Sequence, residues 1–204
     1  MLSLSISPDE VKSGQLTPEH LDAAVNAIQI DGVVVLEDII NISHLKVLRE
    51  KMLNDVRDIL KRDDIPFNFT AGNIQQGPPP FPPYLYRDIL ANDLVISVTK
   101  AVLGPGLRVS SYSGNTALPS DSRQPVHGDI GQITPTDDAF SPFFALVVNI
   151  PVVDVEPCNG STEIWPGTHV DLEGQSLKSI TVTDEMLTAR SAYNGPKKLD
   201  RCTR

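Results

Sequence analysis

Cysteine is scarce in this chain. Only Cys158 and Cys202 occur in 204 residues, and neither falls in a C-x-x-C pair, which argues against a disulfide framework or a structural zinc site. Positive charge is also in short supply: 17 Lys+Arg stand against 26 Asp+Glu, a net charge of −9. That balance excludes nucleic acid or an anionic membrane as the main partner, since both select a basic face. No apolar run approaches the ~20 residues of a membrane span, and the first residues lack a basic segment followed by a long apolar stretch. The expectation is a cytoplasmic protein whose partner is a small neutral or cationic molecule. With 40% hydrophobic residues the chain can build one sizeable core, so residues 1–204 are read as a single domain.

What is present divides the chain in two. Thr17-Pro18-Glu19 reads as a cap with proline in the first turn, and Leu21, Ala24, Val25 and Ile28 recur at helical spacing until Gly32. Val33 to Leu36 has strand character, and Ser43 opens a second helix carrying Leu45, Leu48, Met52, Val56 and Ile59. Residues 63–83, with their proline cluster, read as a long loop, either a linker or, as preferred here, a cover over a site. A third helix over 91–103 ends at Gly104-Pro105-Gly106. Beyond it, 107–113, 143–155 and 161–165 read as strands, and the middle one is apolar on both faces, like a central strand covered on each side. Residues 1–104 are thus expected to be helical support and loop, 105–193 the β core and 194–204 an atypical tail.

The chemistry concentrates in His127-Gly128-Asp129. On an extended segment, residues i and i+2 face the same side, so an H-x-D aims an imidazole and a carboxylate at one point. Two histidines and one carboxylate form the facial triad of non-haem Fe(II) oxygenases. The triplet by itself is short enough that chance supplies it about once in three chains of this composition. Its setting sharpens it: Q-P-V-H-G-D over 124–129 and N-G-S-T-E-I-W-P-G-T-H over 159–169 flank the apolar stretch.

In that combination, from about Thr17 to about Tyr193, the chain resembles the phytanoyl-CoA dioxygenase family of Fe(II)- and 2-oxoglutarate-dependent oxygenases, in its fungal secondary-metabolite branch. The resemblance implies a mainly β fold with N-terminal helices, its core a double-stranded β-helix (jelly-roll) barrel. It implies Fe(II) as cofactor, 2-oxoglutarate and O2 as co-substrates, and hydroxylation or desaturation of a small organic substrate. His127 and Asp129 match metal ligands. Gln124 and Asn73 match co-substrate contacts, or are turn-stabilising amides. His169, in its P-G-T-H turn, matches a residue that shapes the turn rather than the third ligand.

The family's later histidine and 2-oxoglutarate-binding arginine have no match, since no histidine follows His169. The expectation is a barrel shortened at its C-terminal end, with reduced iron affinity and an uncovered sheet edge that makes a homodimer worth testing. The rival expectation is a catalytically impaired remnant, or a truncated gene product, that binds a small molecule or a sister subunit.

Overall fold

A computed structural model describes residues 2–129 and 144–169, together with the backbone of 197–198. Strand β1 (Leu2–Ser5) is followed by a short helix α1 (Pro8–Ser13) and a longer one, α2 (Pro18–Asp31). Strand β2 (Val34–Glu37) then pairs with β1 in parallel, with Leu2 opposite Val34 and Ser5 opposite Glu37. Parallel strands need a crossover, and α1 and α2 supply it. The register puts Ser3 and Ser5, two residues apart on one face of β1, within hydrogen-bonding reach of the Glu37 carboxylate.

The helix boundaries follow from capping chemistry. Thr17 accepts from the His20 amide, and Gly32 ends α2 at φ 76°, a left-handed conformation that glycine adopts without a Cβ penalty. Helix α3 (Ile42–Ile59) is capped by Asn41, whose side chain accepts from the Ser43 amide, so the cap lies two residues before the expected Ser43. After the one-turn helix α4 (Arg87–Leu90), Asn92 caps α5 (Asp93–Leu103) and also donates to the carbonyls of Ile39 and Asp88, tying the start of α5 to the start of α3.

Helices α2 and α5 meet over Ala24, Ile28 and Val98. Leu4, Leu36, Val102 and Leu146 close around this contact. Leu48 of α3, Leu94 of α5 and Ile74 are the largest fully buried side chains.

The expected jelly-roll barrel is not what forms. Helix accounts for about 36% and strand for 12%, and no barrel closes among the described residues. Strands β3 (Phe67–Asn68), β4 (Thr70–Gln75) and β5 (Asn115–Ala117) make one three-stranded antiparallel sheet. The pairs β1–β2 and β6–β7 (Glu163–Ile164 with Lys197–Lys198) make two-stranded ones. Two misreadings explain the difference. Residues 107–113 and 144–155 have strand-like composition but no ladder partner among the described residues, and Val147 and Val148 are 51% and 48% exposed rather than covered on both faces. Leu146 alone of that stretch packs against the α2–α5 core. Conversely, residues 63–83, expected to be loop throughout, contain the β3–β4 hairpin. Among the described residues no helix is long and apolar enough to cross a membrane.

Candidate metal centre

The β3–β4 hairpin reverses direction through a single residue. Asn68 pairs with Thr70, and Phe69 between them takes φ 62°. A left-handed conformation costs a non-glycine residue roughly 1–2 kcal/mol, so the turn needs support. Support comes from three amides. Asn73 Nδ2 and Gln124 Nε2 both donate to the Asn68 carbonyl, at 3.4 and 3.3 Å, and Asn68 Nδ2 donates to Asn115 Oδ1 at 3.0 Å. The two residues singled out as co-substrate contacts therefore converge on one carbonyl, and each nitrogen keeps a second N–H.

The segment leading to His127 is seated on the same sheet. Leu118 N–H donates to the Gly72 carbonyl at 2.8 Å, and Gly72 lies so close to the 120–122 loop that a Cβ there would stand 2.4 Å from the Ser120 Cβ. Arg123 extends the attachment by donating to Glu163 at 2.7 Å, and the same carboxylate oxygen accepts from the Trp165 indole at 2.9 Å. Glu163 thus links the two motif segments. Neither Arg123 nor Glu163 was singled out in the sequence. The only signal there was that Glu163 sits inside one motif segment and Arg123 immediately before the other, and spacing does not reveal pairing across 40 residues.

His127 is half-buried, and its ring packs on Phe69 with centroids 4.7 Å apart and planes tilted by 36°. Nδ1 lies 2.7 Å from the Pro125 carbonyl. A carbonyl only accepts, so in the neutral ring Nδ1 carries the proton and Nε2 keeps its lone pair, the arrangement that metal-ligating histidines use. Nε2 stands 3.5 Å from Asp129 Oδ1. An ion about 2.1 Å from both atoms would see them about 110° apart, and closing to an octahedral 90° needs a movement of about 0.5 Å. These two residues fit two adjacent positions of a first-row metal.

Among the described residues no third His, Cys, Asp or Glu joins them. His169 lies elsewhere. The Pro166–His169 turn docks on the end of α2, where the Gly167 amide donates to the Asp31 carbonyl at 2.8 Å and His169 Nε2 donates to the Gln29 carbonyl at 3.1 Å. Terminal carbonyls of a helix have no intrahelical partner, and this turn satisfies two of them. The sequence's other histidines are engaged as well: His20 Nδ1 with Glu10, and His44 Nδ1 with Asp88 while its ring stacks on Tyr86 at 4.0 Å.

No protein-family model matches the chain.

Proposed function

We propose that the chain is a non-haem Fe(II)- and 2-oxoglutarate-dependent dioxygenase of the phytanoyl-CoA dioxygenase type, acting on a small organic substrate. The observation that supports this reading is the His127–Asp129 geometry: a proton-fixed imidazole and a carboxylate with donor atoms 3.5 Å apart. When bound, iron with 2-oxoglutarate and O2 supplies the oxidising chemistry, and the products are hydroxylated or desaturated substrate, succinate and carbon dioxide.

The chain's own residues hold and orient. Pro125 holds the His127 proton on Nδ1, so Nε2 would be the nitrogen that holds the metal. Asp129, more than half exposed, brings a negative charge that offsets part of the cation's and remains open to incoming ligands. Gln124 and Asn73 have their spare N–H groups available for a carboxylate of the co-substrate. With His127 and Asp129 the two candidate ligands among the described residues, co-substrate and water would supply further positions, at lower affinity than a complete facial set.

Anaerobic titration with Fe(II) and 2-oxoglutarate tests this. The expected result is a charge-transfer absorption band that needs both additions and disappears in H127A and D129A. Absence of metal uptake would favour the rival reading, a small-molecule-binding protein without turnover.

A further inference from the structure

We propose that Phe69 is a positioning residue for the His127 imidazole: a clamp whose ring selects the orientation in which Nε2 points at Asp129. The inference rests on the metal-centre reading above and gives the hairpin turn a task within it.

Three observations carry it. Phe69 occupies the one position of the β3–β4 reversal that a bulky residue disfavours, at φ 62°, where glycine or asparagine would sit without strain. Burial does not account for a phenyl group there, because the residue is 56% exposed. What its ring does meet is the His127 imidazole, at 4.7 Å and 36°.

The turn beneath is held by Asn73, Gln124 and Asn115, so the ring is presented from a fixed base. Rotation of an imidazole about its Cβ–Cγ bond is governed by a broad, roughly two-fold potential, and one hydrogen bond at Nδ1 tolerates considerable tilt about its own axis. A second restraint has to act on the face of the ring, and Phe69 supplies it. Without the phenyl face the ring swings far enough to break the Nδ1 hydrogen bond to Pro125 for part of the time, so Phe69 holds the tautomer through the ring plane.

The test uses the full chain as F69G, F69W and H127A beside the parent. Imidazole 15N shifts of the metal-free proteins, recorded in alkaline buffer, report the tautomer directly. The parent is expected to hold His127 in one Nδ1–H form, F69W to keep it, and F69G to show a mixture. Cobalt(II) titration should then give F69G a dissociation constant about 10–100-fold weaker than the parent, as loss of a group orienting a ligand typically does, with F69W within about threefold. F69G should nonetheless melt at the same or a higher temperature, since left-handed strain leaves with the side chain. A glycine variant with the parent's tautomer population overturns the proposal, whatever its melting temperature or cobalt affinity. If the parent takes up cobalt no better than H127A, the dioxygenase reading falls, whereas the clamp stands or falls on the tautomer shift alone.

Discussion

Glu10 shows how much a single side chain organises here. It is buried at the head of α1, where its carboxylate accepts from the Thr17 amide at 2.8 Å and from the Ser7 amide and hydroxyl at 3.0 and 2.8 Å, with His20 Nδ1 2.8 Å away. The Thr17 hydrogen bond foremost, with those of Ser7 and His20, lowers its pKa from the ordinary 4.5 to about 2, against the opposing effect of burial. A carboxyl lowered on folding adds stability that is complete above its unfolded pKa and is lost as pH falls toward its folded one. The contribution of Glu10 is therefore present at neutral pH and drains away between pH 4.5 and about 2. We predict that E10Q lowers the neutral-pH urea midpoint and flattens its decline across that window; parallel curves for parent and variant would refute the assignment. The S-P-D-E run at Ser7–Glu10 is a capping-box pattern, readable in principle, yet it lies before the first strongly periodic segment and is passed over for that reason.

At the scale of elements, the site depends on how closely the 118–124 segment lies on β4, and Gly72 sets that distance. An alanine Cβ would stand 2.4 Å from the Ser120 Cβ and 2.8 Å from the Ser122 hydroxyl oxygen, so the loop must lift. G72A is predicted to destabilise by about 1–3 kcal/mol in chemical unfolding, as overpacking does, and to weaken cobalt uptake because Gln124 and His127 ride on the displaced segment. Unfolding at the parent's midpoint with unchanged uptake would show that the loop is not seated there. Sequence reading recovered the ends of α2 from Thr17 and Gly32 because capping is local chemistry. It lost the β3–β4 hairpin because Phe69 holds the left-handed position where glycine or asparagine is the usual sign. The 3.5 Å separation of His127 Nε2 and Asp129 Oδ1 is an i, i+2 proximity and so is also local. Sequence reading had no means of finding the Arg123–Glu163 bond, which only the tertiary fold creates.

For the whole molecule, the apolar stretch over 143–155 reads as a central sheet strand, yet its described residues 144–155 form no ladder. Hydrophobicity states a need for cover, whereas a strand also needs a ladder partner, and Leu146 meets part of that need by packing on helices instead. Ala24, with no exposed surface, lies in that helical core where α2 and α5 meet. A24L should force them apart and cost about 1–3 kcal/mol, read from the urea midpoint, while leaving the His127 tautomer as in the parent. Equal midpoints would mean the contact yields without strain. The same packing has a consequence during synthesis. Ala24 and Ile28 of α2 are covered by Val98 and Val102 of α5 and by Leu146. Leu4 and Leu36 reach this face early, but Val98 follows Ile28 by about 70 residues, which at about 5–20 residues per second leaves α2 without its α5 cover on the nascent chain for about 4–14 s, an interval in which a ribosome-associated chaperone has a target.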